Sequence, residues 1–165
     1  MERTRAYYSD QGIEQDVYDA VWAQQPKRLL DFHHRLLACR DFRALPDAPA
    51  LAAANKRIGN ILRKAITPAA EQVDPNLFDN SAENQLAEAL AEVRATVMPL
   101  IETRDYRTAL IELARLRPST DRFFDEVLVM AEHPAVRANR LALLGRVKAL
   151  FDQIADVSKL ELESG

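Results

Sequence analysis

Apolar residues recur at three- and four-residue spacing along nearly the whole chain, and proline and aspartate punctuate them. That period belongs to helices with one buried face. Only 4 of the 165 residues are glycine, so phosphate-cradling glycine loops and glycine-dependent hairpins have little to build on. The stripes are Ile13, Val17, Ala20 and Val21, ending before Pro26, and then Phe32, Leu36, Cys39 and Phe42, on a helix that Pro26 is expected to open and that ends near Pro46. A third stripe carries Leu51, Ile58, Leu62 and Ala65 from a start around Pro49. Residues 67–80, with two prolines and an Asn-Ser pair, break the pattern. Asn80 and Glu83 have the spacing of a capping box and open a long helix through Leu86, Leu90, Val93, Val97 and Leu100. Shorter helices are expected over about 106–116, capped by Asp105, and over about 120–130. The last stripe begins at Pro134 and runs through Val136, Leu143, Val147, Leu150, Ile154 and Val157. The expectation is an all-α bundle of about six to seven helices. Residues 1–25 read as an N-terminal helical segment continuous with an upstream domain, and residues 26–165 as the helical domain proper.

Composition narrows the function classes. Hydrophobic residues make up 48% and charged residues 28%, with a net charge of −3. This is a globular chain that does not advertise a polyanion partner, so any nucleic-acid surface has to be local. A single cysteine, Cys39, excludes an internal disulfide and a cysteine zinc site and suits a reducing cytoplasm. No apolar run is long enough for a membrane span, and a cytoplasmic location is expected.

No catalytic constellation is found. Asp31, His33 and His34 suggest a metal cluster only superficially, because adjacent helical residues point about 100° apart. His133 has no nucleophile beside it, and the carboxylates sit singly on helix faces. Neither a catalytic nor a metal-binding residue is expected.

One segment does concentrate charge. Between Asp47 and Glu71 there is no acid, yet Lys56, Arg57, Arg63 and Lys64 fall there. At about 100° per residue, Lys56, Asn60 and Arg63 lie within roughly 60° of one another, opposite the Leu51/Ile58/Leu62 stripe. That is the footprint of a phosphate-binding face, although a solvated face paired with acids of neighbouring helices has the same appearance. In the last helix Arg140 occupies the apolar stripe, where burial demands a carboxylate partner. Asp125 or Asp121 of the preceding helix is the expected partner. Arg137 and Lys148 are placed on an outer face, free to meet phosphate.

The chain resembles the DALR-type anticodon-binding domain carried by the C-terminal part of bacterial glycyl-tRNA synthetase β subunits. The likeness rests on Asp16-Val-Tyr-Asp-Ala-Val21, Ala54-Asn-Lys-Arg-Ile58 with Asn60-Ile-Leu62, Phe123-Phe-Asp-Glu-Val-Leu-Val-Met130 and Arg137-Ala-Asn-Arg-Leu141. Where that family has Asp-Ala-Leu-Arg, this chain has Pro134-Ala-Val-Arg137, and Pro134 can start the helix in place of the acid. The resemblance implies a tRNA-binding role, for which the charge pattern and helix faces offer Lys56, Arg57, Asn60, Arg63, Lys64, Arg137 and Lys148 as candidate contacts. It also implies glycine tRNA and a catalytic α subunit as partners in an α2β2 assembly. No cofactor belongs to this chain, while ATP and magnesium are implied for the whole enzyme. A helical protein-interaction module without RNA binding is the alternative.

Overall fold

The computed structural model describes residues 2–163. Its α-helices are α1 (Glu2–Asp10), α2 (Gln15–Trp22), α3 (Leu29–Arg43), α4 (Ala48–Lys64), α5 (Ser81–Glu102), α6 (Tyr106–Leu113), α7 (Arg117–Glu126) and α8 (Pro134–Asp152). No strand occurs among the described residues, and single 3₁₀ turns lie at Pro75–Leu77, Ala114–Leu116 and Val157–Lys159. No helix is long and apolar enough to cross a membrane.

The periodic stripes become the core. Leu36, Phe42, Leu51, Ile58, Leu86, Leu110, Phe123, Leu141 and Phe151 are fully buried in one hydrophobic cluster. Burial of such side chains contributes roughly 1.5–3 kcal/mol each. Tyr8, Val17, Tyr18 and Val21 join the same cluster, so α1 and α2 are packed into the bundle.

Local chemistry explains the boundaries. Asn80 caps α5, its side chain accepting from the Ala82 N–H at 2.8 Å. Asp105 caps α6 through the Thr108 N–H. Pro134 stands in the first turn of α8, and His133 Nδ1 accepts from the Ala135 N–H. α1 escapes the periodicity because it buries only Tyr8, and Gly12, at φ +82°, breaks it from α2.

Three boundaries differ from the sequence expectation. Pro26 precedes α3 rather than opening it. α7 stops at Glu126, leaving residues 127–133 as a connecting loop. The final helix ends at Asp152 instead of running to Val157, and the chain turns back so that the Asp156 N–H donates to Ala20 O at 2.8 Å. Arg35 stabilises this ending by donating to the carbonyls of Gln153 and Ile154, both at 2.9 Å, which relieves the orphan acceptors of a helix C-terminus.

Candidate nucleic-acid interface

α4 presents the charged face. Its apolar side, Leu51, Ala54 and Ile58, is buried, which turns Lys56, Arg57, Arg63 and Lys64 outward and exposed. None of the four forms an ion pair with the described residues. Arg63 donates only to Asn60 Oδ1, one turn back. Cations in the last turn of a helix are favoured by its dipole, which accounts for Arg63 and Lys64. Lys56 and Arg57 stand mid-helix, where that explanation fails. Arg57 instead lies over the Phe124 ring of α7, 4.2 Å from its centroid.

Beside this ridge runs an open groove of about 480 Å³, lined by Ala53, Lys56, Arg57, Asn60, Ile61, Lys64 and Ala65 of α4 and by Met130 of the α7–α8 loop. Its floor is apolar, its rim cationic, and no carboxylate lines it. The structure therefore brings five of the sequence candidates together: Lys56, Arg57, Asn60 and Lys64 on the groove, with Arg63 on its flank.

The remaining candidates are used differently. Arg137 is half-buried rather than outward-facing. Its Nε donates to Thr67 Oγ1 at 3.0 Å, and a terminal N–H donates to Ala131 O at 3.2 Å. Lys148 is held between Asp152 (3.0 Å) and Asp156 (3.4 Å), with its stem against Gly59. Asp156 reaches it because the chain folds back after α8. Both side chains are thus engaged within the protein, Lys148 by two carboxylates and Arg137 by a hydroxyl and a carbonyl.

Arg140 is buried, as its place on the apolar stripe requires, but Asp125 is not its partner and neither is Asp121. Asp125 is exposed and Asp121 pairs with Arg117. The Arg140 guanidinium meets Glu83 at 3.0 Å and Asp79 at 2.5 Å, and also donates to Leu128 O at 2.7 Å. α8 packs on α4 and α5, so the acids come from the first turn of α5 (Glu83) and from the residues just before it (Asp79). The expected capping box yields to this pairing: Glu83 is fully buried and its Oε1 also accepts a long 3.4 Å hydrogen bond from Asp79 N.

Asn139, which sequence reasoning did not single out, completes the arrangement. Its amide donates to Asp74 O at 3.0 Å and accepts from Asp74 N at 2.7 Å. Arg137, Asn139 and Arg140 thus fasten Thr67, Asp74 and Asp79–Glu83 in turn. Within the Arg-x-Asn-Arg-Leu element, the polar residues staple the 67–83 segment onto α8. Asn55 is similarly internal: it is buried, and its amide donates to Leu51 O at 2.9 Å.

Comparison with known proteins agrees with this geometry. Residues 51–161 match the family model described as the DALR anticodon binding domain. The chain belongs to that family. The matched span starts in α4 and takes in the basic ridge, the α7–α8 loop and the staples of α8. Over 161 residues the chain is 50% identical to a glycine–tRNA ligase β subunit of Marinobacter nauticus, an alignment covering 97% of this chain. It is 50% identical over 159 residues to that of Haemophilus influenzae and 48% over 161 residues to that of Shewanella amazonensis. The chain spans 23% of the length of each of these relatives. Among the described residues no group of three or more His, Cys, Asp and Glu could hold a metal ion. His33 and His34 lie with ring centroids 6.2 Å apart and tilted by 53°.

Proposed function

We propose that this chain is the tRNA-anticodon-binding domain of a glycine–tRNA ligase β subunit, and that α4 is its principal RNA-binding element. The observation that carries the reading is the unpaired ridge of Lys56, Arg57, Arg63 and Lys64 beside a groove without carboxylates. On an acidic protein, such a ridge supplies the local positive field that a phosphate backbone needs. Its role is positioning: the ridge holds the anticodon-stem backbone while unpaired bases meet the surface beside it. Glycine tRNA is the RNA, and a catalytic α subunit in an α2β2 assembly is the protein partner. The ATP and magnesium of the whole enzyme would be handled outside this chain, in the cytoplasm. We further propose that residues 1–25 lead from an upstream domain into the anticodon-binding part, residues 26–165. This accords with relatives more than four times the length of this chain.

The test is a binding titration with glycine tRNA at two salt concentrations. Affinity should fall steeply as salt rises. Charge reversal at Lys56 and Lys64 should weaken it far more than reversal at Arg94 and Arg146, two exposed arginines on a separate groove between α5 and α8. Equal losses at both pairs would sink the assignment to α4. That second groove, of about 720 Å³ with Leu90, Met98, Leu143 and Leu150 in its lining, is where a protein-interaction module would take a partner helix. Salt-insensitive binding of a peptide there, without RNA binding, would favour that alternative.

A further inference from the structure

Among the ridge cations, Arg57 is distinguished by what lies behind it. Its guanidinium carbon sits 4.2 Å from the centroid of Phe124, within the distance of a cation–π contact. Phe124 is half-buried and anchored on the hydrophobic core. It does not line the groove, whereas Arg57 does. The Phe124 ring thus backs the guanidinium carbon on one side, and Arg57 also lines the groove. No carboxylate, carbonyl or hydroxyl of the described residues accepts from it. A long, exposed arginine is costly to immobilise in rotamer entropy. Here that cost is met by Phe124 before any ligand arrives.

The facing wall completes the site. Met130 is 48% exposed and lines the groove from the α7–α8 loop, with Ile61 and Ala65 along the floor. The thioether of methionine is polarisable and adapts its shape to a flat partner. Lys56 and Lys64 stand on the rim of the same groove. A flat cation, an apolar floor, a deformable opposite wall and two flanking ammonium groups match one chemical object. That object is a nucleobase swung out of a stack, with its phosphates outside.

We infer that the groove between α4 and the α7–α8 loop seats one unstacked nucleobase of single-stranded RNA, and that Arg57, backed by Phe124, is its stacking platform. This deepens the reading of the chain as a tRNA-binding domain and rests on it. Because stacking uses the face of a base rather than its edge, the seat discriminates unpaired from paired nucleotides more than one base from another.

Arg57→Lys tests the platform, since it keeps the charge and removes the plane. The probe is the anticodon stem-loop of a glycine-accepting tRNA, made also with an abasic nucleotide at each loop position in turn. Arg57→Lys should bind the intact stem-loop roughly tenfold more weakly, as loss of one stacked base does, with an unchanged dependence on salt. Phe124→Leu should show a similar loss. At one loop position the abasic change should cost the wild-type chain a similar factor and cost Arg57→Lys almost nothing, because both changes remove the same contact. Full affinity in Arg57→Lys, or abasic losses that multiply with it at every position, would overturn the platform while leaving the tRNA-binding reading standing. A wild-type chain that fails to bind the stem-loop at low salt would overturn that reading, and the platform with it.

Discussion

The carboxylate of Glu83 lies 3.0 Å from the guanidinium of Arg140, with Glu83 fully buried and the Arg140 side chain 7% exposed. Neither group is fully satisfied inside the protein: Glu83 Oε2 and Arg140 Nε have no hydrogen-bond partner. A pair of this kind holds because breaking it is costly, not because its formation is especially favourable.

Arg140→Ala should therefore destabilise the fold by about 3–5 kcal/mol, since it strands a buried carboxylate. Replacing both members, as in Arg140→Met with Glu83→Leu, should cost less than either single change. Chemical denaturation of the three variants measures this. A double variant as unstable as the sum of the singles would show that the pair does not act as a unit.

Acid sensitivity should trace partly to Asp31. Burial alone would raise its carboxyl, but hydrogen bonds from Tyr106 and Arg35 and the charges of Arg35 and Arg104 outweigh it and hold it below its ordinary 3.8. A carboxyl depressed on folding contributes stability that is complete above its unfolded value and lost as pH falls through the folded one. Denaturation midpoints should drop on the acid side of pH 3.8, and Asp31→Asn should show less of that drop. An identical acid limb in Asp31→Asn would exclude the Tyr106–Asp31–Arg35 cluster as its source.

Cys39 should be inert in the folded protein. It is fully buried, and burial, reinforced by the nearby Asp16 charge, pushes its thiol up to about 12. Thiolate is the reactive form, so an aromatic disulfide reagent should label nothing in native buffer and one thiol in denaturant. Fast native labelling would mean that α3 opens readily.

Element positions were legible in the sequence wherever a helix buries a continuous stripe, as α4, α5 and α8 do. α1 was legible only as part of a helical segment over residues 1–25, because one buried tyrosine makes no stripe that would mark its bounds. The ridge on α4 was readable for the same periodic reason: knowing that Leu51 and Ile58 face inward fixes where Lys56 and Arg57 face. What stayed hidden was anything set by partners distant in sequence. Arg140 on an apolar stripe announced that an acid must exist, but not that α8 packs on α5 and so meets Glu83. Phe124 behind Arg57 lies 67 positions away, and Asp156 beside Lys148 depends on a chain reversal that no local pattern marks.

Arg137 offers the sharpest separation of shaping a site from touching its ligand. Its Nε holds Thr67 Oγ1, just beyond the end of α4, and a terminal N–H holds Ala131 O beside Met130. The residue thus ties together the two walls of the groove, and the Ala70 N–H adds a parallel tie to Ala138 O at 3.0 Å. Arg137→Ala should cost about 1–2 kcal/mol of stability through these hydrogen bonds, and should weaken tRNA binding because Met130 loses its fixed position opposite α4. The salt dependence distinguishes this from a direct contact. Each phosphate contact removed lowers the slope of log affinity against log salt by roughly 0.7–0.9. Lys56→Ala should show that change in slope, whereas Arg137→Ala should weaken binding with the slope preserved. Thr67→Val should reproduce part of the Arg137→Ala loss, and the double variant should be less than additive because the two share one bond. A slope reduced in Arg137→Ala as much as in Lys56→Ala would instead make Arg137 a phosphate ligand, released from Thr67 when RNA binds.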